Sequence, residues 1–213
     1  MTGSIAWKQF DLIVFDMDGT LYDQAALRRR MLTLLVREAV RSRSLAVPRL
    51  LGAFRRHRER LADRADVDFI RQQYRLRGHD SERVREVVNE WIDERPLPHL
   101  RSFRAKGIVD LFARLAASHI VAVHSDYPAA RKLEALGLSA HFAVAADDVG
   151  RLKPDPAGLH WLMAAAKTGP SRTLMIGDRA DRDGEAARRA GVRALIRGRD
   201  FRHFDDPIFG HAA

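Results

Sequence analysis

A short apolar run that ends in two closely spaced acids constrains the fold of this chain most. Residues 12–15 (LIVF) precede residues 16–20 (DMDGT). The run is typical of a buried strand, and side chains two positions apart in an extended chain point the same way, which gives Asp16 and Asp18 one common direction. Gly19 then lets the chain turn sharply. Open α/β sheets bind ligands beyond the carboxyl ends of their strands. The two acids are therefore candidates to hold a cation, attack a phosphorus atom or move protons.

The second half of the chain alternates between strand and helix patterns. Such alternation predicts an α/β fold, with a parallel sheet that is covered by helices on both faces. After a first strand at 11–16, we predict strands at 119–124, 141–145, 173–177 and 192–196, and helices at 107–117, 128–136, 156–167 and 183–190. The aromatic residues Phe201, Phe204 and Phe209 of the tail are expected to pack on this core or on a second subunit.

The segment between the first strand and the second half has a different pattern. Residues 23–95 carry apolar residues at helical spacing and almost no strand signal, which predicts an all-helical insertion. A first helical stretch carries Leu27 and Met31, and a second follows an interruption at Pro48. A third stretch ends near Gly78 and carries Val67, Ile70 and Tyr74. A fourth has its N-cap at Ser81, and Pro96 and Pro98 mark a stiff return connection.

Four motifs occur in a fixed order along the chain. Residues 16–20 are followed by Ser125 at the end of a predicted strand, by residues 153–156 (KPDP), and by Asp178 directly after the strand at 173–177, with Asp183 five residues further on. This set resembles motifs I to IV of the haloacid dehalogenase superfamily, over about residues 10 to 197. The closest resemblance is to its phosphatase branch, such as phosphoglycolate phosphatases, which carry a helical cap between motifs I and II.

The resemblance implies a domain division and a catalytic pair. Residues 1–21 and 97–213 would form a Rossmann-like catalytic core, and residues 22–96 would form the small helical cap inserted after the first strand. Asp16 would be the nucleophile that forms an aspartyl-phosphate. Asp18 would protonate the leaving alcohol and then deprotonate the attacking water. Mg²⁺ would be the cofactor, held by the Asp16 carboxylate, the backbone carbonyl of Asp18 and Asp178.

Further site residues follow from the same motifs. Ser125 would donate a hydrogen bond to a phosphoryl oxygen, or it caps the turn after its strand. Lys153 would neutralise charge on Asp16 and on the phosphoryl group, and it is one of only five lysines. Thr20 would support the motif I turn. Asp126 stands where family phosphatases often have asparagine, so we expect it near the bound phosphate.

Motif IV contains three acids close together. Asp178 is the expected metal ligand, and the second acid follows four or five positions later in the family. Position 182 is arginine, so Asp183 is preferred as a residue that orients metal-bound water, with Asp181 as the alternative.

Composition limits the class of protein further. The chain has no cysteine, which excludes disulfides, a thiol nucleophile and cysteine-ligated zinc. We find no signal peptide and no stretch of membrane-spanning length, so we expect a cytoplasmic protein without a membrane partner. The net charge of +9 comes mostly from arginines that are interspersed with acids, and nucleic-acid binding is therefore not favoured.

The predicted function is magnesium-dependent hydrolysis of a small phosphorylated metabolite. A phosphomutase on the same scaffold is an alternative, and a dehalogenase is disfavoured because its chemistry needs neither the magnesium site nor an acid at position 18. An alternative from another class is a non-catalytic protein whose arginine-rich cap binds anions or nucleic acid. The sequence leaves the oligomeric state open.

Overall fold

A five-stranded parallel sheet lies at the centre of the molecule, in a computed structural model that describes residues 5–62, 64 and 67–210. The spatial order of the strands is β3-β2-β1-β4-β5, so the first strand in sequence is the middle strand of the sheet. In register, Leu12 lies beside Ile120 on one side and beside Thr173 on the other. The strands are β1 Leu12–Asp16, β2 Ile120–Ser125, β3 Phe142–Ala145, β4 Thr173–Gly177 and β5 Arg193–Ile196.

Both faces of the sheet are covered, which explains why β1 is apolar at successive positions. Ile13 and Phe15 belong to one buried cluster, whereas Leu12 and Val14 belong to another on the opposite face. This arrangement is the parallel sheet with helices on both faces that the alternating pattern predicts. The helices of the second half are α6 Ile108–Ala116, α7 Ala130–Leu136, α8 Ala146–Val149, α9 Ala157–Ala165 and α10 Glu185–Arg189, numbered after five in the preceding segment.

The described residues between β1 and α6 form helices and no strand of the sheet. A π-helical turn at Asn89–Glu94 continues the fourth helix. The helices are α1 Gln24–Ser42, α2 Ala46–Ala62, α3 Phe69–Gln72, α4 Ser81–Val88 and α5 Leu97–Leu100. The predicted boundaries of a cap domain at 22–96 stay a prediction, and residues 1–4, 63, 65–66 and 211–213 of the predicted domains lie outside the described residues.

The structure corrects two helix starts. Pro48 does not interrupt the helices, because it occupies the first turn of α2, where a missing N–H breaks no hydrogen bond. The N-cap of α4 is Asp80 rather than Ser81: its carboxylate accepts a hydrogen bond from the backbone N–H of Arg83 at 2.9 Å.

Two other predicted segments also differ. The predicted third helix is a single turn, α3, with Asp68 as its N-cap, and Phe69 is buried while Ile70 is half exposed. The stiff return connection predicted at Pro96 and Pro98 contains the short helix α5, in which Pro96 is the N-cap and Pro98 stands in the first turn.

The aromatic tail packs on the core. Phe201, Phe204 and Phe209 are buried, and their ring centroids lie 5.0 to 5.4 Å apart. Phe204 also contacts Phe15 of β1, at 6.0 Å between centroids. The first of the two predicted packing partners is thereby confirmed. Within the described residues, no helix has both the length and the apolar character that a membrane span requires, and the location in the cell stays a prediction.

Candidate active site

The candidate site lies at the carboxyl edge of the sheet, where the motif residues meet. Asp16 ends β1, Ser125 ends β2, and Asp178 follows β4 directly. Because neighbouring parallel strands end at the same edge, these residues come together although they are far apart in sequence. A cavity of about 620 Å³ opens here between the sheet edge and the helices α1 and α2.

Three carboxylates converge at this edge. Oxygens of Asp16, Asp178 and Asp183 all lie within 4.8 Å of one another. The approach of Asp178 requires the glycine of motif I, because a Cβ at Gly19 would lie 2.2 Å from Asp178 Oδ2, and Gly19 has φ of +99°. Burial, followed by the negative charge of Asp183, raises the pKa of Asp178 to about 6. Three hard oxygen donors in one place form the kind of ligand set that Mg²⁺ prefers.

Lys153 is buried between two of these acids. Its Nζ donates a hydrogen bond to Asp16 Oδ1, a second to Asp183 Oδ1 at 2.8 Å, and a third to the backbone carbonyl of His124 at 3.3 Å. Burial alone would lower the pKa of Lys153, but the charges of Asp16 and Asp183 outweigh it and raise the pKa well above its usual value. The ammonium group therefore stays charged and screens the repulsion between the two carboxylates.

The two candidates for the second acid of motif IV have different surroundings. Asp183 is buried, and its Oδ2 accepts hydrogen bonds from the backbone N–H groups of Asp178 and Arg179 at 3.2 and 3.0 Å. The side chain of Asp181 is 68% exposed and pairs with Arg179 at 2.8 Å. The structure thus brings Asp183 to Asp16 and keeps Asp181 at the surface.

Asp18 has a partner that sequence reasoning missed. Lys132 Nζ donates to Asp18 Oδ1 at 2.8 Å, and the Tyr22 hydroxyl donates to the same oxygen. Burial raises the pKa of Asp18, but Lys132 and Tyr22 outweigh that effect and lower it. Lys132 lines the cavity, and its side chain is only 5% exposed. The signal was available, because Lys132 is one of the same five lysines whose scarcity drew attention to Lys153.

Thr20 and Ser125 lie behind the cavity wall. Both are fully buried, and neither lines the cavity. The Thr20 hydroxyl donates to Asp16 Oδ2 at 2.9 Å, so it orients the carboxylate. The Ser125 hydroxyl accepts a hydrogen bond from the backbone N–H of Tyr127 at 3.2 Å, which is the turn-capping contact, and its own proton is available to a further acceptor.

Asp126 lines the cavity, but its carboxylate is engaged within the protein. Its Oδ1 accepts a hydrogen bond from the backbone N–H of Lys153 at 3.1 Å, and its backbone carbonyl accepts one from Arg58. Arg58 of α2 is buried, and its guanidinium lies 4.3 Å from the ring centroid of Tyr127. The helix carries arginines at 55, 56, 58 and 60, and the helical pattern does not distinguish which of them turns inward.

His124 precedes the site serine and is a packed residue. Its Nδ1 has no hydrogen-bond partner in the described part of the chain, and burial lowers its pKa to about 3. The ring packs against Gly158, where a Cβ would lie 2.2 Å from His124 Nε2. The imidazole is therefore neutral near pH 7 and plays no part in charge balance at the site.

A family model supports the resemblance seen in the motifs. The model for haloacid dehalogenase-like hydrolases matches residues 10–191, which is most of the chain. The chain belongs to the haloacid dehalogenase-like hydrolase family. This match includes every motif residue described above, from Asp16 to Asp183.

The proteins similar to this chain are named for different reactions. A curated phosphoserine phosphatase from Thermus thermophilus is 32% identical over 126 residues, which are 55% of this chain and 48% of that protein. The chain thus matches about half the length of that relative. Among solved structures, a 2-haloacid dehalogenase from Pseudomonas syringae pv. tomato is 26% identical with a TM-score of 0.63, covering 88% of this chain and 86% of the other.

A third relative has a low sequence identity and supports the fold alone. The structure of a β-phosphoglucomutase from Clostridium difficile is 16% identical with a TM-score of 0.60, covering 88% of this chain and 84% of the other. A shared fold does not by itself fix the reaction, which has to be argued from the side chains of the site.

Proposed function

We propose that this hydrolase cleaves a small phosphate monoester in a magnesium-dependent reaction through an aspartyl-phosphate on Asp16. The observation that carries the proposal is the cluster of Asp16, Asp178 and Asp183 around the buried ammonium group of Lys153. The chemistry of a dehalogenase would need neither a magnesium site nor an acid at position 18. The 32% identity to a phosphoserine phosphatase supports the same reaction class.

The donor set fits Mg²⁺. The carboxylates of Asp16 and Asp178 and the backbone carbonyl of Asp18 would hold the ion, with Asp183 oriented behind them by two backbone N–H groups. When bound, the ion would screen the negative charges of the substrate phosphate and the nucleophile from each other. Lys153 would stabilise the transferring phosphoryl group from the same side as Asp16.

In the first step, an Asp16 carboxylate oxygen forms a bond to phosphorus while the bond from phosphorus to the ester oxygen breaks. Thr20 and Lys153 orient this carboxylate through their hydrogen bonds. Asp18 donates a proton to the departing alcohol oxygen. Lys132 and Tyr22 lower the pKa of Asp18 in the free protein, whereas the negative charge of a bound phosphate ester would raise it, so that Asp18 would take the proton it donates from solvent or from the substrate.

In the second step, water attacks phosphorus and loses a proton to Asp18, and the bond between phosphorus and Asp16 breaks. Inorganic phosphate leaves, and Asp16 is regenerated as a carboxylate. Lys132 and Tyr22 hold Asp18 at the cavity wall for both proton transfers. Transfer of the phosphoryl group to a second sugar hydroxyl instead of water would make the protein a phosphomutase, and product analysis separates the two.

The substrate is proposed to be a small phosphorylated metabolite. The cavity volume of about 620 Å³ is within the range of small-molecule sites, and the cavity lies between the sheet edge and the helical segment. We also propose that residues 22–96 act as a cap over this cavity and that the two parts 1–21 and 97–213 form the catalytic core.

The deciding experiment replaces the nucleophile. Wild-type protein should release phosphate from an aryl phosphate in Mg²⁺, and a chelator should abolish that release. Asp16→Asn should lose essentially all turnover, because an amide is a very poor nucleophile. Asp181→Asn is the matched control, since Asp181 is an exposed acid of motif IV. Substantial turnover by Asp16→Asn, or turnover in excess chelator, would contradict the proposed mechanism.

A further inference from the structure

The backbone of Lys153 is held by two side chains, one on each side of the residue. Asp126 Oδ1 accepts a hydrogen bond from the Lys153 N–H at 3.1 Å, and Arg182 Nη1 donates one to the Lys153 carbonyl at 3.0 Å. These contacts fix the backbone from which the Lys153 ammonium group reaches Asp16 and Asp183. Any shift of Asp126 or Arg182 therefore moves the base of the lysine side chain.

Two adjacent residues of α2 contact the same two residues, Asp126 through its backbone and Arg182 through its side chain. Arg58 Nη2 donates to the backbone carbonyl of Asp126. Glu59 Oε2 accepts a hydrogen bond from Arg182 Nη2 at 2.6 Å, and Glu59 also lies 3.7 Å from Arg179. The helical segment thus contacts the site through Arg58 on the N–H side of Lys153 and through Glu59 on its carbonyl side.

Arg58 is held in one orientation by its surroundings. Its residue surface is only 5% exposed, and its guanidinium lies 4.9 Å from the ring centroid of Phe69 and 4.3 Å from that of Tyr127. Its other terminal nitrogen donates to Gln73 Oε1, and Gln73 in turn donates to Asp147 Oδ1 at 2.8 Å. Such a planar, stacked guanidinium transmits position well, because it has little freedom to rotate.

We infer that Arg58 and Glu59 are positioning residues for Lys153, so that the docking of α2 on the sheet edge places the ammonium group between Asp16 and Asp183. Both side chains line the cavity, but in the described part of the chain neither makes a hydrogen bond or ion pair with Asp16 or Asp18; they act on Lys153 through Asp126 and Arg182. The inference rests on the proposed function for its catalytic consequence. The same contacts give the Asp126 carboxylate a role in the site other than binding phosphate, since it accepts a hydrogen bond from the backbone N–H of Lys153.

The test compares three variants on the same helix, in the full-length protein with an aryl phosphate and Mg²⁺. Arg58→Lys retains the positive charge but cannot donate hydrogen bonds to both Gln73 and the Asp126 carbonyl from one planar group. We expect kcat to fall by about 10- to 100-fold, because displacing a catalytic group by about 1 Å costs about 100-fold in rate. Glu59→Gln should reduce kcat by about two- to fivefold, as its exposed ion pairs are weaker. KM should change little in both. Arg60→Gln, one position further on an exposed surface, is the matched control and should leave kcat unchanged.

A second readout separates this inference from the proposed function. Amide hydrogen exchange of the Lys153 N–H reports its contact with Asp126 without any turnover. Exchange should be faster in Arg58→Lys and unchanged in Arg60→Gln, even if wild-type protein hydrolyses no phosphate ester and the proposed function fails. Wild-type exchange at Lys153 in Arg58→Lys, or wild-type kcat in both Arg58→Lys and Glu59→Gln, would overturn the inference. Because Glu59 is exposed, its variant should fold even if the buried substitution does not.

Discussion

At the scale of single residues, three acids of motif IV make unequal contacts. Asp178 and Asp183 contribute oxygens to the acidic cluster, whereas Asp181 lies outside it and pairs with Arg179. We predict that Asp178→Ala weakens Mg²⁺ affinity most, because Asp178 is proposed to bind the ion directly. Asp183→Ala should weaken it by about 10- to 100-fold, as expected for an outer residue that orients ligands. Calorimetric titration with Mg²⁺ measures these affinities.

Asp181→Ala is the matched control for this series, and its affinity should be close to that of the wild type. An affinity loss that is larger in Asp181→Ala than in Asp183→Ala would reverse the assignment of the second acid. Arg179 loses its main partner in that variant, but Glu59 still lies 3.7 Å away.

Asp93 gives a prediction on pH that does not depend on turnover. Its Oδ1 is buried without a hydrogen-bond partner in the described residues, and burial raises its pKa from 3.8 to about 6. The folded state therefore prefers the protonated carboxyl, and this contribution to stability is lost as pH rises from about 4 to about 6. Asp93→Asn should thus gain up to about 3 kcal/mol over the wild type at pH 7 and almost nothing at pH 4.

Urea denaturation at both pH values measures this difference. Asp110→Asn, an exposed aspartate on α6, is the control and should show the same difference from wild type at both pH values. A gain for Asp93→Asn that is equal at pH 4 and pH 7 would show that the carboxyl charge is not responsible.

The motifs identified Asp16, Ser125, Lys153, Asp178 and Asp183 as site residues, but two side chains that reach the site from helices were missed. Asp16, Ser125 and Asp178 stand at the ends of predicted strands, and the resemblance to motifs I, II and IV implies that they share one site. Lys132 and Arg58 were missed, since their side chains enter the site only through the packing of α7 and α2. Helical spacing predicts which side chains share one face of a helix, but not which other element packs against that face.

At the scale of elements, the start of α4 can be tested directly. Asp80 caps this helix through a hydrogen bond to the backbone N–H of Arg83, whereas Ser81 is its exposed first residue. Asp80→Ala should lower the free energy of unfolding by about 0.5–2 kcal/mol, because a backbone N–H loses its acceptor. Urea denaturation measures the change. Ser81→Ala should be close to neutral, and a larger loss in Ser81→Ala than in Asp80→Ala would restore the sequence-based assignment.

The strands of the sheet were easier to predict than the helices before it. The two central strands β1 and β4 are short and buried at every position, and β4 agrees with its predicted range of 173–177. The segment from α1 to α5 offers only one apolar face per helix. Val67, Ile70 and Tyr74 have helical spacing, yet the helix α3 ends at Gln72, and the side chain of Gln73 bonds to Arg58 and Asp147 instead.

At the scale of the whole molecule, the net charge of +9 does not form an uninterrupted basic surface. Arginines on several helices are paired with acids three to five residues away, and Glu185 pairs with two of them. These pairs are Arg41 with Glu38, Arg83 with Glu86, Arg95 with Glu90, and Arg188 and Arg189 with Glu185.

We therefore predict weak binding of mixed-sequence DNA or RNA, no tighter than about 1 µM at physiological salt, which is the usual range of non-specific association. Fluorescence anisotropy with labelled oligonucleotides measures it, with low-salt buffer as the control in which any electrostatic binding is strongest. Submicromolar binding at physiological salt, together with no turnover of any phosphate ester, would favour the non-catalytic alternative.

The position of β1 in the sheet also governs how the chain must be assembled during synthesis. β1 is made first but pairs only with β2 and β4, and its partner at Thr173 follows Leu12 by most of the chain. At a translation rate of about 5–20 residues per second, the ribosome completes this partner roughly 10 to 30 s after Leu12. The partner on the other side, β2, is complete well before then, but the β4-facing edge of β1 has no partner throughout that interval. Folding of this enzyme is consequently slow and non-local, and chaperones that cover exposed strands should increase its yield more than that of a helical bundle of equal length.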